Sequence, residues 1–134
     1  MATTSSDQLA IGAEPDLVVV RQTVRARALA LGFSLVDQTK VVTAASELAR
    51  NTLKHGGGGT CHVESLTEGV RRGLRLTFED KGPGIADLKL AMTDGYTTGG
   101  GMGLGLSGSK RLVSEFDLQS TVGQGTRVTI TKWK

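Results

Sequence analysis

The segment from Ser34 to about Lys54 constrains this chain most, because its apolar residues cover most of a helix rather than one stripe. Val41, Val42, Ala45, Leu48, Ala49 and Leu53 fill the larger part of the circumference. Lys40, Thr43, Glu47, Asn51 and Lys54 recur at steps of three or four and make a single polar stripe. A helix with so little polar surface is covered on several sides. The stripe therefore either meets solvent through ion pairs or lines a cleft. Asn51 favours the cleft, since asparagine is a poor helix former with nothing to gain on an exposed face. Ser34, three residues before Asp37, makes a variant of the capping box, and "HGGGG" stops the helix after Lys54.

The rest of the chain supplies what such a helix packs against. Residues 1 to 8 are small and polar and are expected to lack fixed structure, with "QLAIGA" a short first strand. From Pro15, Leu17, Val20, Val24, Ala28 and Leu31 repeat at helical spacing until Gly32 ends the run. Strands follow near "TCHVESLT" and "LRLTFED", joined by a turn at "EGVRRG". In the second, Leu74, Leu76 and Phe78 alternate with Arg75 and Thr77, the pattern of a sheet with one buried face. "KGPG" is a turn, "IADLKLAM" a short helix and "TDGYTTGGGMGLGL" a loop. A further helix is expected from Leu106 to Glu115, then strands "DLQST" and "TRVTITKW" around the hairpin turn "VGQG". The expected fold is α+β, a two-layer sandwich with a mixed sheet and helices on one face, forming one domain over residues 1–134.

Composition removes several functions. The net charge of +3 comes from 16 basic and 13 acidic residues without a basic block, and aromatics are 4%, so nucleic-acid binding has little support. Cys61 is the single cysteine, which rules out an intramolecular disulfide and a thiolate zinc cluster. Beside it His62 reads as a strand residue rather than half of a metal pair. No apolar run of about 18 residues is present to cross a membrane. The start "MATTSSDQLA" lacks a basic segment leading into an apolar one, so a cytoplasmic location is expected.

Two further features bear chemistry. Asp80 has the strand parity of Leu74, Leu76 and Phe78, so it starts on the core side, where a carboxylate needs a partner. Gly82 and Gly84 open the backbone beside it, and the carboxylate can accept from an exocyclic amine such as that of adenine. The loop glycines at 95, 99, 100, 101, 103 and 105 lead into a helix start that favours an anion such as phosphate. Gly103-Leu-Gly105-Leu-Ser-Gly108 matches G-x-G-x-x-G literally, yet no strand precedes it, so a dinucleotide fold is rejected. A Walker A loop also fails, because Ser109 stands before Lys110. Together the stripe, Asp80 and the loop supply the parts of a nucleotide site.

These residues resemble a known set. Glu47 with Asn51 resembles the N box of the GHKL superfamily, the Bergerat-fold ATPases. Asp80-Lys-Gly82-Pro-Gly84 resembles its first glycine box, Gly101-Met-Gly103-Leu-Gly105 its second, and Gly125-Thr126 its third. Within the superfamily, "VDQTKVVTAASELARN", "EDKGPGIADL", "DGYTTGGGMGLGL" and "STVGQGTRVTITKWK" are similar to the RsbT-like serine/threonine kinases of bacterial partner-switching and stressosome pathways. That likeness runs from about Gln8 to Lys134. No histidine-bearing dimerisation helix is present, which argues against a phosphorelay through His55 or His62.

The resemblance implies an ATP- and Mg²⁺-dependent kinase that phosphorylates a serine on a STAS-domain antagonist and activates a PP2C-type phosphatase. Asp80 would read adenine, helped by Thr126 and flanked by Gly82 and Gly84. Asn51 would hold Mg²⁺, an oxygen-seeking ion. Backbone amides at Gly101, Gly103, Leu104 and Gly105 would carry the phosphates beneath a lid from about Asp94 to Met102. Glu47 would be the general base. Arg50 and Lys54 would either neutralise phosphate charge or stay at the surface. Three alternatives remain at this stage: an RsbW- or SpoIIAB-like anti-sigma kinase, a non-catalytic nucleotide-binding switch, and a plain ATPase.

Overall fold

Alternation along five segments builds one sheet. The computed structural model describes residues 1–85 and 105–134. Its strands are β1 (Ala2–Ile11), β2 (Gly59–Glu68), β3 (Arg71–Asp80), β4 (Glu115–Thr121) and β5 (Gly125–Trp133). They lie in the order β1-β2-β3-β5-β4. Three helices are described: α1 (Glu14–Ala30), α2 (Leu35–Lys54) and α3 (Gly105–Arg111).

Leu9, Cys61, Val63, Leu74, Leu76, Phe78, Val128 and Ile130 point from the sheet toward the helices. From above, α1 contributes Leu17, Val20, Val24 and Ala28, and α2 contributes Val41, Ala44, Ala45, Leu48 and Ala49, all buried. Each large apolar side chain so buried contributes roughly 1.5–3 kcal/mol, more than an exposed ion pair at about 1 kcal/mol or less. The core therefore sets the fold, and the charges trim it. Ser34 caps α2 as expected: its hydroxyl accepts the Asp37 N–H at 3.1 Å.

The structure departs from the sequence expectations in three places. Residues 1–8 are not without structure: most of them belong to β1, which pairs with β2 from Ala2↔Thr67 to Ile11↔Gly59. Their polar side chains find partners on neighbouring elements, Ser5 Oγ donating to Ser65 Oγ at 2.7 Å and Asp7 pairing with Arg27 of α1 at 2.8 Å. The sheet is antiparallel at every described pairing rather than mixed, because β5 returns beside β3 in the opposite sense. The helix expected to reach Glu115 stops at Arg111, and Glu115 opens β4. There Phe116 and Leu118 alternate with exposed Glu115 and Asp117, a period of two that a helix cannot use. The short helix expected at "IADLKLAM" lies beyond Ile85, outside the described residues, as does the lid.

Candidate active site

The C-terminal end of α2 runs into the end of β3. The Asn51 carbonyl accepts the N–H groups of His55 at 2.9 Å and Gly56 at 3.1 Å, which closes the helix. The chain then turns through Gly57 and Gly58, both at positive φ, into β2. Gly56 lies directly against Asp80. A Cβ built on it would sit 2.5 Å from the Asp80 Cβ and Oδ2, so no larger residue fits. A Cβ on Gly82 would in turn come within 2.8 Å of the Gly56 Cα and carbonyl oxygen. Two glycines thus let helix end, strand end and turn close around one carboxylate.

Asp80 itself is half-buried. Its Oδ1 accepts the Gly82 N–H at 2.9 Å, while Oδ2 makes no hydrogen bond among the described residues. Thr126 is its cross-strand partner on β5. The preceding Gly125, at φ 129°, brings its backbone so near the Asp80 carbonyl that a Cβ there would overlap it.

Sequence reasoning missed Ser120, which organises this corner. The Ser120 hydroxyl donates to the Gly125 carbonyl at 3.0 Å and accepts the Ile85 N–H at 2.8 Å. With its only proton so engaged, Ser120 accepts from the Thr126 hydroxyl at 2.9 Å. Thr126 Oγ1 keeps its lone pairs open as acceptors. The available signal was parity, since Ser120 continues the inward series Phe116, Leu118. Gly56 was also missed, having been read only as a helix stop.

Along α2, Asn51 stands one turn before the helix end and Glu47 one turn earlier, both half-buried. Glu47 Oε2 is buried without a hydrogen-bond partner, and so is Arg50 Nε. Leaving such a group unsatisfied costs about 1–3 kcal/mol, more when it is charged. Such orphaned polar atoms are few in folded proteins, and each calls for an explanation. The Asn51 side chain makes no hydrogen bond among the described residues. Lys54 is exposed at the helix end. Helix α3 packs on α2, and Gly105 forms its first residue. Gly84, at φ 77°, abuts the Thr121 carbonyl of β4. Gly101, Gly103 and Leu104 lie outside the described residues, so the second glycine box is represented by Gly105 alone.

The far face of the sheet offers less. A polar hollow of about 390 Å³ there is lined by residues including His62, Glu64, Arg75, Glu79 and Arg127. Arg75 grips Glu64 with two bonds, at 3.0 and 3.1 Å, and holds its carboxyl below the usual range. His62 Nε2 lies 2.6 Å from Ser6 Oγ. Cys61 faces the core instead, and burial pushes its thiol up to about 12, far from a reactive thiolate. Among the described residues no three His, Cys, Asp or Glu side chains gather as a metal cluster.

Comparison with known proteins places the chain in a family. The family model "Histidine kinase-, DNA gyrase B-, and HSP90-like ATPase" matches residues 36–134. The chain is 46% identical over 120 residues to the serine/threonine-protein kinase RsbT of Bacillus subtilis (strain 168), covering 90% of each. It is 32% identical over 104 residues to an anti-sigma F factor of Clostridium novyi (strain NT), covering 74% of this chain and 73% of that one. Among solved structures, the RsbU and RsbW domains of a Mycobacterium tuberculosis protein superpose with a TM-score of 0.67 at 21% identity. That alignment takes in 98% of this chain and 33% of the other, a likeness of fold alone. The sequence thus belongs to the histidine kinase-, DNA gyrase B- and HSP90-like ATPase family, and within it the chain is an RsbT-like serine/threonine-protein kinase.

Proposed function

We propose that this kinase transfers the γ-phosphate of ATP to a serine hydroxyl on a STAS-domain antagonist protein, with Glu47 as general base. The observation that carries this reading is the buried, unpartnered Oε2 of Glu47 on the polar stripe of α2. A general base needs a free acceptor within reach of a hydroxyl proton, screened from water. Nothing in the described core requires that oxygen for stability.

The residues also fit a nucleotide. Asp80 has one oxygen held by Gly82 and the other open, suited to an exocyclic amine donor. Thr126 adds an open acceptor beside it. The walls formed by Gly56, Gly82 and Gly125 leave no room for side chains that would fill the space. Asn51 would hold Mg²⁺ through its side-chain oxygen, and the ion would neutralise charge on the phosphates. A magnesium ion commonly takes one or two protein ligands and completes its shell with phosphate and water, so it needs no carboxylate cluster, and none gathers among the described residues. Arg50, with its orphan Nε, and Lys54 would meet phosphate charge. Gly101, Gly103, Leu104 and Gly105 would supply the amides beneath the phosphates. Gly84 shapes the turn after Asp80.

On this reading the antagonist, once phosphorylated, frees the kinase to activate a PP2C-type phosphatase, all in the cytoplasm. No described helix is long and apolar enough to cross a membrane. The similarity to the Clostridium novyi anti-sigma F factor supports a second reading, direct capture of a sigma factor.

One experiment separates them. The chain is incubated with labelled ATP, Mg²⁺ and a candidate STAS protein, and phosphate is mapped by mass spectrometry. Label on one serine of the STAS protein is the expected result. Free phosphate without protein label would make the chain a plain ATPase. Stable capture of a sigma factor, with no capture of a phosphatase, would favour the second reading.

A further inference from the structure

Ser120, beside the candidate site, has its whole hydrogen-bonding capacity in use. A hydroxyl offers one proton and two lone pairs. Ser120 donates to the Gly125 carbonyl at 3.0 Å, accepts the Ile85 N–H at 2.8 Å and lies 2.9 Å from Thr126 Oγ1. A carbonyl can only accept and an amide N–H can only donate, so the two backbone groups leave Ser120 one lone pair for Thr126. The Thr126 proton is therefore committed to Ser120, and backbone groups set the direction of the chain. The junction that holds them is tied a second time, by the Gly123 N–H on the Pro83 carbonyl at 2.8 Å.

Asp80, Thr126 and Ser120 are successive cross-strand neighbours on β3, β5 and β4, so their side chains stand in a row on one face of the sheet. Asp80 presents an oxygen with no hydrogen bond among the described residues. Thr126, next to it, presents lone pairs and no proton. A ligand edge meeting both side chains meets acceptors alone. A 6-amino purine brings two N–H groups on one nitrogen to such a pair. A 6-oxo purine brings a carbonyl, and oxygen lone pairs facing oxygen lone pairs leave groups unsatisfied on both sides.

We propose that Ser120 is a positioning residue for nucleotide choice: by holding the Thr126 proton, it makes the site accept a 6-amino purine nucleotide and reject a 6-oxo one. The proposal rests on the reading of Asp80 and Thr126 as the base-binding pair and adds to it the source of the discrimination. Without the serine hydroxyl, the Thr126 proton can turn toward the ligand and donate to a 6-oxo group.

ATP and inosine triphosphate differ in just this feature, the amino group of one being a carbonyl in the other. Both are titrated with Mg²⁺ into the full chain by calorimetry, for wild type, Ser120→Ala, Ser120→Thr and Thr126→Val. Wild type is expected to prefer ATP by about tenfold or more, the effect of one unsatisfied polar group. In Ser120→Ala the preference is expected to shrink to about twofold or less, because inosine triphosphate gains a donor there and ATP does not. Ser120→Thr keeps the hydroxyl and is expected to restore the preference. A serine that only braced the fold would weaken both nucleotides together and leave their ratio unchanged.

Thr126→Val, with neither proton nor lone pair at that position, is also expected to lower the ratio, and adding Ser120→Ala to it is expected to change nothing further. That variant keeps the test sharp if circular-dichroism melts show Ser120→Ala to be unfolded. A wild-type ratio in Ser120→Ala or in Thr126→Val would overturn the proposal. So would a ratio that Ser120→Ala still changes once Thr126 is valine. Equal affinity of the wild-type chain for both nucleotides overturns the proposal and leaves the nucleotide reading standing, whereas binding of neither ends that reading and the proposal with it.

Discussion

Asp80 and Glu47, on the helix side of the sheet, have no arginine partner among the described residues. Asp7 and Glu64 each have an arginine, and their carboxyls are held below the usual range by it. Asp80 has only the Gly82 amide, and Glu47 keeps one oxygen buried with nothing opposite it. Folding alone gives no reason for either arrangement. Substituting Asp80→Asn replaces one acceptor with a donor that would oppose an incoming amine. ATP affinity measured by calorimetry is then expected to fall at least tenfold, on the order of 1.4 kcal/mol or more, with melting temperature nearly unchanged. Wild-type affinity in that variant would remove Asp80 from nucleotide recognition. Asp80 was legible from sequence because strand parity put a charge on an apolar face. Ser120 was not, since a serine in a polar strand reads as surface until the β4–β5 register sets it beside Thr126.

At the level of elements, the junction between α2 and β3 depends on glycines of two kinds. Gly56 is needed for space, since its missing Cβ is where Asp80 sits. Gly57 is needed only for its backbone, at φ 74° with nothing within 4 Å of a Cβ. Gly56→Ala is therefore expected to cost about 1–3 kcal/mol through overpacking and to displace Asp80, lowering ATP affinity as well. Gly57→Ala is expected to cost about 1–2 kcal/mol from the left-handed backbone and to leave ATP affinity as it was. Thermal melts with calorimetry on both variants check the contrast, and equal losses of affinity would contradict it. Four consecutive glycines announce a helix stop, but nothing in the run says which one another residue will touch. The same limit hid the first half of β1. Its serines and threonines look like a loose terminus when read locally, and they become a strand only because β2 offers ten residues to pair along. Helices α1 and α2 were legible because a period of 3.6 residues is local.

For the molecule as a whole, the two faces of the sheet do different work. The face toward the helices holds the core and the candidate site. The other holds a network centred on Glu64 and Arg75, whose effect is on stability. Arg75 keeps Glu64 ionised in the folded chain at pH values where the unfolded chain takes up protons. That stabilisation is full above the ordinary glutamate value of 4.5 and is lost as pH falls through the lower folded value. Arg75→Met is expected to remove about 1 kcal/mol at neutral pH and to flatten the loss of stability on acidification, read from denaturant melts between neutral and acid pH. An acid limb as steep as wild type would show that the pair contributes nothing. The central claim concerns the other face, that Glu47 takes the proton of the attacking serine at a site where ATP is held by other residues. It is tested most directly by measuring ATP affinity and phosphoryl transfer to the STAS protein side by side in Glu47→Gln. The account predicts affinity close to wild type with transfer reduced by about 10²–10⁴-fold. Transfer at the wild-type rate would contradict it.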